Sequence, residues 1–335
     1  MVHRTNRPSG SIPVKLALQG GGAHGAFTWG ALDRLLQVPG LIVESVCGTS
    51  SGAMNASALA QGWARNGAAG ARETLDTFWL DMGKRNSAVD WWMASSRSLS
   101  DSFGWPMTMA SAVHPLRPLV EEFFDFDVLR SGPVALHLVA TRIRDSGLAI
   151  FSGSRLSADA LIASASLPPW FPAVEIDGEA YWDGGFAGNP ALEPLLEGGC
   201  DDVLCVMLQP LRRSLLPRST KDAVTLSAEL AFGGAFIREL RDIAIAREHA
   251  TQRLWPSATE RQLRRLHLHI MAPEESLATL GHSATDTRPH QLQTLHDQGY
   301  ATAEHWLAEH GEALGQHGSF PLAEWLDSFD RPLDT

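Results

Sequence analysis

The stretch VKLALQGGGAHG, residues 14–25, decides the fold of this chain. Its first half, Val14–Gln19, is a mostly apolar run that predicts a buried strand. Its second half is a glycine loop, after which apolar residues recur at helical spacing until Pro39-Gly40 ends the helix. The helical positions are Thr28, Ala31, Leu32, Leu35 and Leu36. A strand that passes through a glycine loop into a helix is the opening unit of a parallel α/β sheet.

The next segment has the same order of elements. Leu41–Cys47 predicts a second strand, Gly48-Thr49-Ser50-Ser51-Gly52 a sharp turn, and Ala53–Gln61 a helix of small residues that packs closely on a sheet. Asn189-Pro190 predicts the start of another helix, because Asn caps helices and Pro fits the first turn. Further strands are predicted at Val134–Thr141, Leu148–Phe151, Tyr181-Trp182, Val203–Leu208 and Leu266–Ile270, and helices near Gln291–His310 and Leu322–Phe329.

Length and composition predict a sizeable core. The chain has 335 residues, of which 44% are hydrophobic. We expect a catalytic domain over residues 13–272 and a mainly helical C-terminal extension over residues 273–335. Within the domain, residues 84–130 form an insertion rich in Trp, Phe and Met. The insertion is either an irregular segment packed on the core or an apolar cap over a lipid-like acyl chain, since Met and aromatic side chains suit an adaptable surface.

Charge and cysteine content exclude several classes of protein. With a net charge of −11 and no long basic run, we expect no nucleic-acid partner and no strong electrostatic attachment to anionic membranes. The three cysteines, Cys47, Cys200 and Cys205, form no C-x-x-C pair and predict neither a disulfide framework nor a zinc site. No signal peptide or membrane-spanning run is found, so we expect a cytoplasmic protein that is compatible with peripheral contact at a membrane or lipid surface.

The glycine loop has two interpretations. Gly20, Gly22 and Gly25 match the dinucleotide fingerprint G-x-G-x-x-G, and the acidic Glu44 follows at roughly the expected distance of about 20 residues. However, Glu44 lies inside the apolar run Leu41–Val46 rather than at the end of a strand. The other interpretation is an oxyanion hole, because glycines leave their N–H groups accessible and the following helix adds a positive dipole end.

The motif G-x-S-x-G around Ser50 predicts a nucleophile. Ser50 occupies the third position, and Gly48 and Gly52 allow the strained turn from strand to helix that exposes a serine hydroxyl. The alternative is that Ser50 is merely the N-cap of the following helix.

A serine nucleophile needs a base, and no histidine of this chain lies in a recognisable loop motif. His267 and His269 share a face of a predicted strand, but no third ligand suggests a metal site. A better partner is Asp183 in Trp182-Asp183-Gly184-Gly185, because two glycines let the chain turn while the carboxylate faces inward. Desolvation would raise its pKa from about 3.9 and make it a better base. The alternative is a surface turn.

Taken together, these elements resemble the patatin-like phospholipase family. The resemblance is carried by the glycine loop Gly20–Gly25, the serine turn Gly48–Gly52, the aspartate motif Asp183–Gly185 and the segment Ala163–Pro172, which resembles the family's Ala-Ser…Pro…Phe segment before the aspartate. It covers roughly residues 13–210. The resemblance implies an α/β fold of three layers, α/β/α, with a mainly parallel central sheet.

The resemblance also implies a Ser50–Asp183 dyad without a catalytic histidine, which hydrolyses lipid or other acyl esters through an acyl-enzyme and needs no metal or organic cofactor. The implied oxyanion hole comprises Gly20, Gly21, Gly22 and Ala23, with the last three as N–H donors, and the supporting motif residues are His24, Gly25, Gly48, Gly52, Gly184 and Gly185. Many family members carry Arg or Lys where this chain has His24. A neutral imidazole there supplies less positive charge and is compatible with a less charged ester.

Three other functions are consistent with parts of this pattern. An acyltransferase or thioesterase would use the same dyad. A dinucleotide-binding oxidoreductase would use the glycine loop but gives no reason for the Asp183 motif. A catalytically silent lipid-binding protein would retain the fold without the reaction.

Overall fold

The computed structural model describes residues 10–85, 114–168, 170–212, 217, 219–277 and 282–328. Most of the insertion predicted at residues 84–130 lies outside these ranges.

The described strands form one eight-stranded sheet. They are β1 (Ile12–Leu18), β2 (Leu41–Thr49), β3 (Ala135–Arg142), β4 (Gly147–Ser152), β5 (Val174–Ile176), β6 (Glu179–Asp183), β7 (Asp202–Val206) and β8 (His267–Met271). Their order is β5-β6-β3-β2-β1-β7-β8, with β4 also paired to β3. The central strands β3, β2, β1, β7 and β8 are parallel, whereas β4 and β6 run antiparallel to β3. The mainly parallel sheet predicted from the sequence is therefore confirmed.

Helices connect the parallel strands. The helices in the described ranges are α1 (Gly25–Leu35), α2 (Ser51–Lys84), α3 (Arg117–Phe123), α4 (Phe126–Ser131), α5 (Ala158–Ser164), α6 (Thr220–Gln252), α7 (Ala258–Arg265), α8 (Pro289–His310) and α9 (Leu322–Asp327). Helix α2 is kinked at Asn66 and Gly67, where the backbone leaves the helical region and Gly67 has φ 55°.

Alternate residues of the central strands face two hydrophobic clusters. In β1, Leu16 and Leu18 belong to the first cluster and Ala17 to the second, because successive side chains of a strand point to opposite faces. The first cluster includes buried residues of α1, α2 and α8, and the second those of α6, α7 and α9. Helices therefore cover both faces of the sheet, which confirms the α/β/α architecture.

Helix α8 packs closely on α1. A Cβ atom added at Gly30 would lie 1.8 Å from the carbonyl oxygen of His296, and one at Gly299 would lie 1.9 Å from the oxygen of Phe27. Glycine at both positions lets the two backbones approach. Residues beyond 289 thus share a core with the first α/β unit, while the domain boundary at 272/273 stays a prediction.

One sequence prediction of an element is wrong. Asn189-Pro190 starts no α-helix: its peptide bond is cis, and the next regular element is a 3-10 turn at Glu193–Leu195. The side chain of Asn189 binds the glycine loop, as described below, and caps no helix.

None of the helices in the described ranges is both long and apolar enough to cross a lipid bilayer.

Candidate active site

The two predicted loops meet at the carboxyl ends of neighbouring strands. Leu18 of β1 pairs with Gly48 of β2, so the turns that follow these strands lie side by side. A Cβ at Gly20 would come within 2.3 Å of the Thr49 oxygen, and one at Gly52 within 2.2 Å of the Leu18 oxygen. Any side chain at these positions would push the two loops apart.

Ser50 lies on the turn between β2 and α2. Its backbone has φ 54° and ψ −121°, an unfavourable conformation for a residue other than glycine. The Ser50 side chain makes no capping hydrogen bond to α2, so the interpretation of Ser50 as an N-cap finds no support. The Ser50 N–H instead donates to the Ser164 Oγ at 2.9 Å. This is the geometry of a nucleophile turn held by a neighbouring segment.

Asp183 ends β6 and is 3% exposed. Its N–H donates to the Ser166 oxygen at 2.9 Å, and its own carbonyl oxygen accepts from the Thr141 Oγ1 at 2.7 Å. A Cβ at Gly184 would lie 2.4 Å from the Val139 oxygen, so the chain after Asp183 lies against β3. The alternative of a surface turn is therefore wrong.

The surroundings of the Asp183 carboxyl shift its pKa. Burial raises the pKa, the hydrogen bonds from the Gly185 N–H and the Ser50 side chain lower it, and burial dominates, so that the pKa of Asp183 is about 6. The Gly185 N–H lies 2.8 Å from the Asp183 Oδ1. Ser50 is thus within hydrogen-bonding reach of a carboxylate that accepts protons near neutral pH.

The glycine loop is fixed at its start by Asn189. The Gly20 N–H donates to the Asn189 Oδ1 at 2.7 Å, and the Asn189 Nδ2 donates to the Gly20 oxygen at 3.1 Å. This reciprocal pair of hydrogen bonds uses the Gly20 N–H, which leaves the oxyanion role to later residues of the loop.

Two further N–H groups of the loop have partners. The Gly21 N–H donates to the Ser51 Oγ at 3.0 Å, and the Ala23 N–H donates to the Ala284 oxygen at 2.7 Å. Within the described ranges the Gly22 N–H makes no hydrogen bond. Of the predicted donors, Gly22 is thus the one whose N–H is available to an oxyanion in this arrangement, and its φ of 61° requires glycine.

His24 anchors the connection between β8 and α8. Burial lowers the pKa of His24, so its ring is neutral at pH 7. The His24 Nε2 lies 2.9 Å from the His282 oxygen, and because a carbonyl oxygen only accepts, the Nε2 carries the proton. The side chain is therefore a structural link between the glycine loop and residues 282–284, and it adds no positive charge to the site.

The other candidate residues have structural partners. The Glu44 carboxylate accepts from the Cys200 N–H at 2.8 Å, so it supports a turn, and the dinucleotide interpretation gains nothing from it. His267 and His269 lie 3.2 and 3.0 Å from the carboxylate of Asp202. In the part of the chain that the structure describes, no group of three or more His, Cys, Asp or Glu residues could hold a metal ion.

Sequence reasoning missed four contributors to the site. They are Ser51, Ser164, Asn189 and the carbonyl of Ala284. Ser164 carried a signal, because it lies in the segment Ala163–Pro172 that resembles the family. Ser51 also lies in a quoted motif, the serine turn Gly48–Gly52, although its hydrogen bond with the Gly21 N–H forms only in the folded chain. Asn189 and Ala284 carried no signal for their roles, since each acts through a contact that only the folded chain creates.

Comparisons with known proteins identify the family of this chain. Curated relatives named as uncharacterized NTE family proteins, from Mycobacterium bovis and Mycobacterium tuberculosis, are 26% identical over 202 residues. The match covers 60% of this chain but 31% of each relative, so the chain spans about a third of their length. A crystal structure of VipD from Legionella pneumophila aligns with a TM-score of 0.42 and 18% identity, over 90% of this chain and 67% of that one. The sequence model of the family described as "Patatin-like phospholipase" matches residues 16–196, more than half of the chain, and the chain therefore belongs to the patatin-like phospholipase family.

Proposed function

We propose that this chain is a serine hydrolase of lipid acyl esters, with Ser50 as nucleophile and Asp183 as general base. The proposal is carried by one observation: a buried carboxyl with a pKa of about 6 lies within hydrogen-bonding reach of a serine on a strained turn. Membership of a family of lipid hydrolases supports the choice of substrate class.

In the proposed first half-reaction, the Ser50 Oγ attacks the ester carbonyl carbon and its proton passes to Asp183. The negative charge that develops on the carbonyl oxygen is stabilised by the Gly22 N–H and by the N-terminal end of α1. Collapse of this intermediate breaks the ester bond, and the alcohol leaves with the proton from Asp183. The product is an acyl ester of Ser50.

In the second half-reaction, Asp183 removes a proton from water, which attacks the acyl-enzyme. The acid leaves, and Ser50 regains its proton. A base with a pKa of about 6 is still mostly ionised at pH 7, yet it is stronger than an exposed carboxylate with a pKa of about 3.9. Burial therefore makes Asp183 a stronger base, which is the role that histidine has in a Ser-His-Asp triad.

Adjacent serines provide a matched test of the nucleophile. A fluorophosphonate probe should label the wild-type chain and Ser51→Ala, whereas Ser50→Ala should lose both labelling and the hydrolysis of a short p-nitrophenyl ester. Ser51→Ala should react more slowly, because the Gly21 N–H loses the Ser51 Oγ. Full hydrolysis by Ser50→Ala would refute the proposal.

A further inference from the structure

The ring of Phe232 in α6 packs beside the carboxyl of Asp183. A Cβ atom added at Gly185 would lie 1.8 Å from the Phe232 Cδ1 and 2.0 Å from its Cε1. The same Cβ position lies 3.1 Å from the Asp183 Oδ1. The aromatic ring and the carboxylate oxygen therefore adjoin one buried glycine, and the ring occupies the place that a side chain at this position would take.

Two contacts hold this ring in place. The ring of Phe186 lies 4.9 Å from that of Phe232 between centroids, at an interplanar angle of 40°. One turn further along α6, Phe236 is 1% exposed and belongs to the second hydrophobic cluster, as does Leu240. The helix is thus anchored directly after Phe232, and the half-buried Phe232 ring is held against Gly185.

Phe232 covers the glycine whose N–H binds the carboxyl. The Gly185 N–H donates to the Asp183 Oδ1 at 2.8 Å, and such a bond stabilises the ionised form. Burial outweighs this bond and raises the pKa of Asp183 to about 6. Water that reached this side of the carboxylate would solvate its charge and lower the pKa. An apolar ring packed on Gly185 occupies the space that such water needs.

The raised pKa of Asp183 has burial as its cause rather than a charged neighbour. In the described part of the chain, burial is opposed by two hydrogen bonds from uncharged groups. Thr141 of β3 and Ser166, which follows α5, also contact Asp183 with uncharged groups. The acidic residues that flank the ring in the sequence of α6 have other partners: Glu229 accepts from a serine hydroxyl, and Glu239 accepts from two backbone N–H groups. Exclusion of water is therefore the main effect of the surroundings on this carboxyl.

We propose that Phe232 is a positioning residue for the proposed base: by packing on Gly185, its ring excludes water from the Asp183 carboxyl and makes it a stronger base than an exposed carboxylate. This inference rests on the proposed function for the reaction that Asp183 performs. Phe232 lies beyond the family match at residues 16–196. The site thus depends on a helix that contains none of the motifs by which the chain resembles the family.

Removal of the ring should move the pH profile of ester hydrolysis. In Phe232→Ala, water reaches Gly185, so the pH at which kcat/KM for a short p-nitrophenyl ester is half-maximal should fall by at least about one unit, from about 6 towards the ordinary value of about 4. The plateau above pH 7 should fall several-fold, because a weaker base takes the Ser50 proton less readily. Phe232→Leu, which keeps an apolar side chain on Gly185, should shift the midpoint by less than half as much.

Phe320→Ala is the matched control. Phe320 is also half-buried, but it packs on the second hydrophobic cluster, and its N–H donates to the Leu268 oxygen of β8. In the sheet, β8 lies five strands from β6, which is about 24 Å at about 4.8 Å per strand. The control therefore removes the same ring at a position remote from Asp183, and its midpoint should stay at about pH 6. Loss of stability alone would not move the midpoint to lower pH.

A direct titration of Asp183 separates this inference from the proposed function. Labelling the aspartate carboxyls with ¹³C gives NMR signals, and the Asp183 signal is the one lost in Asp183→Asn. Its pKa should be about 6 in the wild-type chain and in Phe320→Ala, and at least about one unit lower in Phe232→Ala. If the pKa follows this pattern but the wild-type chain hydrolyses no ester, the proposed function fails while the role of Phe232 stands. If hydrolysis depends on Ser50 but the pKa is equal in all three chains, or also falls in Phe320→Ala, only the role of Phe232 is refuted.

Discussion

At the scale of single residues, Asp183 offers the sharpest test of the proposed chemistry. Asp183→Asn keeps the size of the side chain and an oxygen for the Gly185 N–H, but it removes the base. We expect turnover of a short ester to fall by roughly 10²–10⁴-fold, the usual contribution of general-base catalysis. The exposed Asp177, in the turn before β6, supplies the control Asp177→Asn, which should be as active as the wild type. Unchanged turnover in Asp183→Asn would exclude it as the base.

The pH dependence of the reaction should report the same group. Because the reaction needs the ionised carboxylate and burial raises its pKa to about 6, kcat/KM for a short ester should fall about tenfold per pH unit below pH 6. Above that pH it should level off. A profile that falls only near pH 4 would mean that the general base is an exposed carboxylate with an ordinary pKa.

As pH rises, the contribution of Asp183 to the free energy of unfolding should fall while the activity rises. The raised folded-state pKa of Asp183 means that its protonation stabilises the fold at low pH, and this contribution is lost as pH rises from about 4 to about 6. At pH 7 the ionised group costs on the order of 3 kcal/mol, at 1.36 kcal/mol per pKa unit. Urea unfolding should find Asp183→Asn more stable than the wild type at pH 7 and equal to it near pH 4. A less stable variant at pH 7 would contradict this reasoning.

The proposed catalytic pair could be predicted from the sequence because each residue lies in a local motif. Ser50 follows an apolar run and lies between Gly48 and Gly52, whereas Asp183 follows Tyr181-Trp182 and precedes Gly184-Gly185. Asn189 was not predictable, since its partner Gly20 lies 169 positions away and its own neighbourhood resembles a helix start. A local motif identifies residues on glycine-rich turns, whereas hydrogen bonds between polar groups far apart in the sequence form only in the folded chain.

At the scale of elements, the contact between the glycine loop and the β8–α8 connection makes a distinct prediction. Gly22→Ala would place a Cβ 2.3 Å from the Ala284 oxygen at a φ of 61°, whereas Gly153→Ala has a φ of 54° and nothing within 4 Å. Both variants bear the strain of a left-handed residue, about 1–2 kcal/mol. Gly22→Ala alone should be further destabilised and lose ester hydrolysis, as measured by urea unfolding and kcat. Equal stability and activity in the two would show that the Ala284 contact is unimportant.

The central strands were predicted within a few residues because each is a short apolar run that leads into a turn. Helix α6 was not predicted. Its exposed Val224 and Leu230 break the apolar stripe that identifies a surface helix, and Gly233-Gly234 lowers its helix propensity.

At the scale of the whole molecule, the segment beyond the family match at residues 16–196 contributes to the same core and the same site. Trp306 of α8 is buried in the first hydrophobic cluster with Leu16 of β1, and Ala284 bonds the glycine loop. Motifs in the first part of the chain predict the chemistry. They could not predict that α8 packs on α1, because the sequence of a long polar helix does not indicate which helix it will contact.

The crossing of α1 and α8 should therefore control both stability and activity. Gly299→Ala would place a Cβ 1.9 Å from the Phe27 oxygen, whereas Gly311→Ala, just beyond the end of the same helix, meets nothing closer than 3.7 Å. Overpacking typically costs 1–3 kcal/mol, so Gly299→Ala should unfold at lower urea concentration while Gly311→Ala should not. Since α1 begins at the glycine loop, displacing it should also lower kcat in Gly299→Ala. If Gly299→Ala matched Gly311→Ala in both measurements, the packing of α8 on α1 would contribute neither to the stability of the fold nor to the activity of the site.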